Sequence, residues 1–428
     1  MLFQKQQGKL VWLGFRKGKE MESFVDSLTA ESIINKYGSP VYVYNEKILR
    51  ERCRDLIGAF RGKILPSYSV KANNNISLLK IIKEEGLRAD AMSPGEIFLL
   101  EQAGFISEEI FYISNNVTQE EMQYAIDKGI LISVDSLSQL ELYGQINRGG
   151  RVAVRFNPGI GAGHSKKVIT AGEGTKFGVQ AEFWAEVKAI IKKHHLDLVG
   201  VNQHIGSLFL EPTLYIQAAE NLLNLVREHF PGLNFIDFGG GFGVPYKATE
   251  SRFDFDEFSK LFLPILDKFI ETYDNKCVQF KCEPGRYIVA ECCSILGRVT
   301  ALKDNYGQNY VGTDIGFNVI MRPLLYDSYH EIKIHSVGKG VVNLEGPVHV
   351  VGNICESGDI LAHNRDIGPV KIGDIIEVMT AGAYVYSMAS NYNCRLRPPE
   401  ILIREDGSIV KIRERDTLEG LLQNFSVC

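Results

Sequence analysis

The sequence predicts an α/β protein with two parts: a parallel (β/α)8 barrel of the TIM type and a C-terminal antiparallel β-sandwich or barrel domain. Between residues 67 and 283, short apolar strands alternate with amphipathic helical stretches about eight times, which favours a closed barrel over a doubly wound open sheet. After Arg286, helical stretches become rare and short strands separated by turn residues dominate. We therefore predict an N-terminal segment at 1–37 that contributes to the β-domain, a barrel at 38–286 and the β-domain at 287–428.

The elements are predicted in chain order from hydrophobic periodicity and turn residues. The N-terminal part has a strand at 9–15, a helix at 21–36 and a strand at 40–44, after which Asn45 caps a helix that runs to Phe60. The barrel strands are predicted at 67–72, 88–92, 110–114, 131–135, 152–157, 198–205, 235–238 and 279–283. The β-domain strands are predicted at 287–295, 299–303, 310–313, 347–351 and 375–379, and a final helix is predicted at 416–423.

Composition excludes several classes of protein. The hydrophobic content of 45% and the charged content of 23% are ordinary for a globular protein. The net charge of −5, without a block of like charges, gives no reason to expect a nucleic-acid partner. No uncharged apolar run approaches the roughly 18 residues of a membrane span, and the N-terminus lacks the pattern of a signal peptide.

The cysteines are scattered along the chain. There are eight, of which Cys292 and Cys293 are adjacent, and no CxxC pair occurs. This spacing indicates neither a disulfide framework nor a zinc site, so we expect reduced thiols, a cytoplasmic location and no metal.

Polar residues follow the predicted barrel strands where each strand ends. They are Lys71, Asp90, Asn115, Asp135, Asn157, His204, Gly239–Gly241 and Glu283. In a parallel barrel these ends meet at one mouth, where barrel enzymes have their active sites. The alternative for Asp90 and Asp135 is that each caps the helix that follows.

Lys71 lies at the end of a predicted strand, just before the Asn-rich turn at 73–75. Burial at such a position lowers the pKa of an amine, which favours the neutral nucleophile that condenses with an aldehyde. The alternative is a lysine whose amine reaches solvent along its aliphatic stem.

Three further motifs have polar or glycine-rich character at strand ends. Residues 237–243 form a Gly-rich turn that either cradles a phosphate or is only a tight turn. Glu283 can keep an aromatic ring nitrogen protonated, and Arg286 can bind a phosphate or carboxylate; a structural Glu–Arg pair is the alternative. His204 has no other metal-ligating residues at zinc spacing, which argues against a metal site. Its ring could instead stack on a cofactor, with Ser207 bonded to a phosphate, and the alternative is a histidine of the core. Lysine, cradle, stacking ring and carboxylate are together what pyridoxal 5'-phosphate (PLP) requires.

On these motifs the chain resembles the fold-type III PLP enzymes, the group of alanine racemase and ornithine decarboxylase, and within it the diaminopimelate decarboxylase family. The resemblance covers roughly residues 38–405. Its motifs are Val70-Lys71-Ala72-Asn73, His204-Ile205-Gly206-Ser207, Gly239-Gly240-Gly241, Glu283-Pro284-Gly285-Arg286, Arg322-Pro323-Leu324-Leu325-Tyr326, Cys355-Glu356-Ser357-Gly358-Asp359 and Gly382-Ala383-Tyr384. One departure is Leu208, where the family usually has glutamine.

The resemblance implies PLP-dependent decarboxylation of meso-2,6-diaminopimelate to L-lysine and CO2. It implies that Lys71, His204 and Cys355 are catalytic, with Cys355 as the proton donor. The implied cofactor-binding residues are Lys71, Asp90, His204, Ser207, Gly240, Gly241, Glu283, Gly285, Arg286 and Tyr384. The implied substrate-binding residues are Arg286, Arg322, Tyr326, Glu356 and Tyr384.

The family also implies a homodimer in which the segment Cys355–Asp359 reaches the active site of the other subunit. Three alternatives stay open at this point. A related decarboxylase would act on a D-amino acid or on ornithine or arginine. A racemase would require a tyrosine acid and lack the Cys-Glu-Ser-Gly-Asp motif, and a non-catalytic binding protein would be expected to lose Lys71, Glu283 or Cys355.

Overall fold

The N-terminal part of the computed structural model begins with a short hairpin. The structure describes residues 3–6, 9–12, 21–163, 169–172, 174–337 and 346–426. Strands β1 (Phe3–Gln6) and β2 (Lys9–Trp12) pair with each other antiparallel. Helix α1 (Ser27–Tyr37) starts where the Asp26 carboxylate accepts the Thr29 N–H at 2.7 Å, and β3 (Val41–Asn45) follows it. The end of the predicted strand at 9–15 lies outside the described residues.

The next part of the chain alternates between strands and helices. Its elements are α2 (Glu46–Phe60), β4 (Ile64–Ser69), α3 (Ile76–Glu84), β5 (Arg88–Ala91), α4 (Pro94–Gln102), β6 (Ile110–Ile113), α5 (Gln119–Asp127), β7 (Leu131–Val134), α6 (Leu137–Ile146), β8 (Arg151–Asn157), β9 (Ala162–Gly163), β10 (Val179–Gln180), α7 (Trp184–His194), β11 (Asp197–Asn202), β12 (Gly206–Ser207), α8 (Thr213–His229), β13 (Phe235–Asp237), α9 (Phe255–Thr272) and β14 (Gln279–Cys282).

Eight of these strands close into a parallel barrel, as predicted. The order β4, β5, β6, β7, β8, β11, β13, β14 runs around the barrel, and β14 pairs with β4 to complete it. The strands carry apolar residues on both faces because helices cover the outside and side chains fill the inside. The outer helices show the matching one-sided pattern: α9 buries Phe255, Phe258, Phe262, Leu266 and Phe269.

The rest of the chain forms a second sheet. Its elements are α10 (Arg286–Val289), β15 (Cys293–Asn305), β16 (Gln308–Thr313), α11 (Arg322–Tyr326), β17 (Ile332–His335), β18 (Val348–Val351), β19 (Ile360–Arg365), β20 (Ile375–Val378), β21 (Glu400–Ile403) and β22 (Ile409–Arg413). The sheet runs in the order β19, β18, β16, β15, β3, β21, β22, and β20 pairs with β15 and β17. It is mixed rather than purely antiparallel, because β16 pairs with β18, and β3 with β21, in parallel.

The N-terminal segment contributes a helix to this second part. Helix α1 buries Ala30, Ile33 and Ile34 in one apolar cluster with β3 and β15 residues, whereas the N-terminal strands form their own hairpin. Strand β3 lies inside the predicted barrel segment 38–286 but pairs with β15 and β21 of the second sheet. The division of the chain into domains at residues 38 and 287 stays a prediction.

Several predicted element boundaries are wrong. The predicted strand at 67–72 ends at Ser69, and Lys71 lies in a 3-10 turn, Val70–Ala72. The two strands predicted at 287–295 and 299–303 are one long strand, β15, preceded by the short helix α10. The predicted final helix is only a 3-10 turn, Gly420–Leu422. Strands β17, β19, β21 and β22 were not predicted, since neighbouring turn residues obscure their short alternation.

No helix in the described ranges combines the length and the apolar character needed to cross a membrane.

Candidate active site

The predicted polar residues lie together at the carboxyl ends of the barrel strands. Lys71 follows β4, Asp90 is in β5, and Glu283 comes directly after β14. His204 lies two residues past β11. Asn115 and Asp135 follow β6 and β7 and hydrogen-bond to each other through their side chains. The capping alternative for the two aspartates is wrong, because Ser93 and Ser136 cap α4 and α6.

The amine of Lys71 lies among acidic groups. Burial lowers its pKa, but Asp90, Tyr384 and Glu283 raise it, and the net direction is upward. The expectation that burial would leave a more neutral amine is therefore wrong for the protein without cofactor, because the nearby carboxylates outweigh desolvation. The half-buried Lys71 therefore favours its ammonium form, next to the acidic groups of the mouth.

Asp90 is fully buried and has one unused oxygen. Ser69 donates its hydroxyl to Asp90 Oδ2 at 2.7 Å, while Oδ1 has no hydrogen-bond partner. Burial raises the pKa of Asp90, although Lys71 and Ser69 lower it. A buried acceptor without a donor costs free energy, so this oxygen indicates a position for a ligand donor.

Glu283 shows the same feature more strongly. It is 3% exposed, and its Oε1 has no hydrogen-bond partner. Burial, Asp237 and Asp90 raise its pKa well above the ordinary value, and Lys71 and Arg155 oppose that rise. A cationic N–H next to Glu283 would relieve the burial cost, because a paired charge is stabilised at low dielectric.

His204 is held as a neutral ring. The Gly240 N–H donates to His204 Nδ1 at 3.1 Å, which leaves the ring proton on Nε2. Burial, Lys71 and Arg155 lower the pKa of His204 well below its ordinary value. A neutral, flat ring fixed by the Gly turn suits stacking on an aromatic ligand.

The Gly-rich turn packs too closely for side chains. A Cβ on Gly240 would lie 1.8 Å from the Glu283 carbonyl oxygen, and one on Gly241 would lie 2.2 Å from the Phe209 ring. Gly241 also has φ +110°, a conformation that favours glycine. A Cβ on Gly285 would come within 3.1 Å of Ser69 and Ala72. Only glycine therefore fits at these positions. Two of the turn's N–H groups are already used, because Gly239 donates to Asp237 Oδ1 at 2.9 Å and Gly240 donates to His204 Nδ1.

Two buried arginines meet at one tyrosine hydroxyl. Arg286 Nη1 and Arg322 Nη1 donate to Tyr246 Oη at 2.8 and 2.6 Å, and Arg286 Nη2 donates to Ser207 Oγ at 2.9 Å. Burial raises the pKa of Tyr246, but the two arginines lower it by more than burial raises it. The pKa of Tyr246 is therefore below its ordinary value. Arg322 is 1% exposed, and its Nε has no hydrogen-bond partner. The pair concentrates positive charge around Tyr246, an arrangement suited to an anion.

The turn that carries Lys71 is anchored to the second sheet. Asn73 Nδ2 donates to the Tyr44 hydroxyl at 2.9 Å, and that hydroxyl donates to Glu400 Oε1 at 2.6 Å. The Tyr384 N–H donates to the Ala72 carbonyl at 2.8 Å, and the Tyr384 ring lies 4.9 Å from the Arg286 guanidinium. Tyr384 has φ +58°, a strained backbone that these contacts support.

Cys355 and Glu356 do not share these contacts. Both are exposed, and their hydrogen bonds are to Asn393 and Tyr392: Asn393 Nδ2 donates to Cys355 Sγ at 3.1 Å, and the Tyr392 hydroxyl donates to Glu356 Oε1 at 2.5 Å. Tyr326 is half-buried and ends α11, which Arg322 begins. Within one chain the structure thus brings together the predicted cofactor residues and Arg322, but gives Cys355 and Glu356 no contact with them.

Sequence reasoning missed four residues of the mouth: Ser69, Arg155, Tyr246 and His330. Arg155 interrupts the apolar run of β8, and this was a usable signal for a charge inside the barrel. Tyr246 comes three residues after the Gly-rich turn, where no pattern marks it. His330 is buried against Tyr246 at 5.2 Å between ring centres, its Nε2 lacks a partner, and burial lowers its pKa to about 3.

The residues present fit PLP. Glu283 Oε1 is a buried acceptor that lacks a donor, as a carboxylate facing a pyridine N–H requires. Ser207 and Arg286, which are hydrogen-bonded to each other, offer donors to a phosphate, and the Lys71 amine lies close enough to Asp90 and Glu283 for both to raise its pKa.

Comparisons with known proteins agree with this chemistry. The family model "Pyridoxal-dependent decarboxylase, pyridoxal binding domain" matches residues 46–290. The chain is 39% identical over 406 residues to diaminopimelate decarboxylase of Methanothermobacter thermautotrophicus, covering 93% of this chain and 94% of the relative. It is 33% identical over 411 residues to that of Escherichia coli strain K12, covering 92% and 96%. A crystal structure of diaminopimelate decarboxylase from Helicobacter pylori complexed with L-lysine matches with a TM-score of 0.83 at 30% identity, covering 92% of this chain and 98% of that one.

Proposed function

Because this chain belongs to the diaminopimelate decarboxylase family of pyridoxal-dependent decarboxylases, we propose that it converts meso-2,6-diaminopimelate to L-lysine and CO2. The buried, donor-less Oε1 of Glu283 beside the Lys71 amine is the observation that carries the cofactor requirement. When bound, PLP supplies an aldehyde for an amino group and a ring that accepts the electron pair released as CO2 leaves.

The residues of the mouth divide the work of holding the cofactor. Lys71 would supply the amine for the aldehyde, and Glu283 would accept a hydrogen bond from the ring nitrogen. Ser207, Arg286 and the backbone at Gly241 would bind the phosphate, while His204, held by the Gly240 N–H, would cover one face of the ring. Asp90 keeps its unused oxygen for a cofactor donor and holds the Lys71 ammonium electrostatically.

The arginine pair selects the far end of the substrate. Diaminopimelate carries a carboxylate and an ammonium there, whereas ornithine carries only an ammonium. Arg322, oriented by Tyr246 at 2.6 Å, binds the carboxylate together with Tyr326, and Glu356 binds the ammonium. A buried cationic wall would disfavour a substrate that ends in an ammonium alone, which argues against the ornithine or arginine alternative.

A second copy of the chain completes the site. The segment Cys355–Asp359 has a buried base and an exposed tip, and the Cys355 thiol and Glu356 carboxylate hydrogen-bond to Asn393 and Tyr392 rather than to their own chain's barrel residues. We propose that the protein is a homodimer in which this segment enters the partner's mouth, where Cys355 donates the proton that replaces CO2. The apolar cavity of about 340 Å³ around the segment, lined by Phe317, Leu324 and Tyr392, supports contact with another chain.

A cytoplasmic location belongs to the same proposal. The seven cysteines among the described residues are all unpaired, which agrees with a reducing compartment.

The direct experiment is incubation of the purified, PLP-loaded protein with meso-diaminopimelate, with release of CO2 and formation of L-lysine followed together. Ornithine, arginine and D-lysine form the comparison panel. We expect equal amounts of CO2 and L-lysine from diaminopimelate and a much lower kcat/KM on the others. Faster decarboxylation of ornithine or arginine, or loss of substrate chirality without CO2, would contradict the proposal.

A further inference from the structure

The opposite end of the barrel contains a second cavity. Its walls come from the amino-terminal ends of the strands: Arg88 begins β5, Arg151 begins β8, and Phe235 begins β13. The cavity is about 300 Å³ in volume and is open to solvent between the loops that precede these strands. None of the residues proposed to hold PLP or substrate lines it.

Lys281 is the buried charge of this floor cavity. It belongs to β14, is 8% exposed, and its Nζ lies 3.9 Å from the centre of the Phe235 ring and 5.4 Å from that of Phe111. Among the described residues its amine makes no hydrogen bond and no ion pair. Burial lowers its pKa to about 8, although Asp237 raises it. Two aromatic faces attract an ammonium only partly, so the charge is incompletely compensated.

Two arginines add to the positive charge around Lys281. Arg88 and Arg151 line the same cavity, and both lower the pKa of Lys281, which shows that they are close enough to repel it. Glu108 and Glu109 also line the cavity. The Glu109 carboxylate is engaged by Lys83 Nζ at 2.8 Å, and Arg151 lies 4.0 Å from Asp197 outside the cavity. The lining thus has three cations and two carboxylates, so the floor carries a positive excess in a protein whose net charge is −5, and Asp237 in the barrel offsets Lys281 only in part.

We propose that the floor cavity binds a small oxyanion, a phosphate or a carboxylate, between Lys281, Arg88 and Arg151. An oxyanion would supply the acceptors that the Lys281 ammonium lacks and would separate three like charges that otherwise repel. The volume admits a molecule larger than phosphate. The site is separate from the PLP phosphate site, which Ser207 and Arg286 form at the other end of the barrel.

The test is calorimetric titration of inorganic phosphate into PLP-loaded protein near pH 7 at constant ionic strength, so that the mouth is already filled. We expect one saturable site per chain. Loss of one charged partner should weaken binding about tenfold or more, in Lys281→Met and equally in Arg88→Ala. Arg148→Ala removes an exposed arginine three residues before Arg151 and should leave binding unchanged.

Malonate distinguishes the two sources of oxyanion: displacement of phosphate by malonate assigns the site to carboxylates, and failure to displace it assigns the site to phosphate. If Lys281→Met does not fold, as judged by circular dichroism, Arg88→Ala and Arg151→Ala carry the test, since both positions are at the cavity rim. Absence of saturable binding, or equal affinity in wild type and the Lys281 and Arg88 variants, would overturn the proposal.

Discussion

The barrel mouth and the segment Cys355–Asp359 differ sharply in burial, although both are proposed to act on one substrate. In the mouth, Asp90 and Glu283 are almost fully buried and each has an oxygen without a donor. In the segment, Cys355 and Glu356 are exposed, and their hydrogen-bond partners are Asn393 and Tyr392. The mouth therefore has buried acceptors ready for a ligand, whereas the segment exposes its side chains to another molecule.

The shape of the segment explains how it can be exposed and still ordered. Asp359 is 4% exposed and accepts the backbone N–H groups of Phe317 at 2.6 Å and Ile354 at 2.7 Å. These two bonds close the base of the loop, so its tip does not depend on its own chain's barrel. Such a preformed loop loses little conformational entropy when it enters another molecule.

The largest expected loss of activity comes from a change in the mouth, at Lys71. Lys71→Ala removes the amine proposed to bind the cofactor aldehyde, so kcat should fall about 10⁴-fold or more. The absorbance band of the protein-linked cofactor should be absent as well. Lys80→Ala, an exposed lysine on α3, is the matched control and should behave as wild type. A Lys71→Ala protein that keeps the band and its activity would refute the role of this lysine.

A smaller effect is expected in the segment. Cys355→Ala removes the proposed proton donor, and loss of a general acid typically lowers kcat about 10²- to 10⁴-fold. The cofactor band should persist, because the cofactor is held by the mouth alone. Cys394→Ala changes another exposed cysteine of the same surface and should leave kcat unaltered. Equal kcat values for the two variants would show that Cys355 is not the donor.

Within the mouth, changes at Arg322 and Tyr246 are expected to raise the KM for substrate by different amounts. Arg322→Ala should raise KM for diaminopimelate about 10- to 100-fold, because a charged hydrogen bond to the distal carboxylate is lost. Tyr246→Phe removes only the hydroxyl that orients Arg322 and Arg286, so its KM should rise less. Tyr329→Phe, in which the lost hydroxyl bonds Glu331, serves as the control. An unchanged KM for Arg322→Ala would remove this residue from the substrate site.

The smallest expected effect concerns stability and arises from Glu96, next to the mouth. Burial raises its pKa from 4.5 to about 7, with Asp90 adding to the rise and the Met92 N–H opposing it. Between these pH values the folded protein holds a proton that the unfolded chain has lost, so the free energy of unfolding falls as pH rises from 4.5 to 7. Glu96→Gln should therefore be more stable than wild type at pH 8 by about 3 kcal/mol, and nearly equal to it near pH 4.5.

Urea unfolding at the two pH values checks this prediction. Glutamine keeps an oxygen that can accept the Met92 N–H, so the change isolates the charge. The exposed Glu182→Gln is the control and should show no difference. A destabilised Glu96→Gln at pH 8 would mean that the carboxylate is stabilising in the folded state.

The strand ends explain which parts of this molecule could be predicted. The existence of all eight barrel strands followed from local alternation, although the first was placed three residues too late. Lys71, Asp90 and Glu283 were predicted because polar residues at strand ends meet at one mouth. Tyr246 was missed, since its role depends on two arginines that are 40 and 76 residues away in sequence. The predicted direction of the Lys71 pKa shift was also wrong. That shift depends on how several acidic groups converge on the amine, and not on the lysine's own strand.

The second sheet was harder to predict for a related reason. Strand β3 pairs with β15 and β21, which lie some 250 and 360 residues later, and no local pattern encodes such pairing. The four strands that were missed are short, and turn residues surround them.

Complementation between two inactive variants tests most directly whether the mouth and the segment form one site from two chains. Lys71→Ala and Cys355→Ala subunits, carried on different affinity tags, would be co-expressed and the doubly tagged species purified. Each such dimer combines one intact mouth with one intact segment, so half of its sites should be active, or about a quarter of all sites in an unsorted mixture. Activity near half that of wild type is the result predicted. A doubly tagged dimer as inactive as its parents would show that Cys355 serves its own chain, or no chain, and would contradict the account.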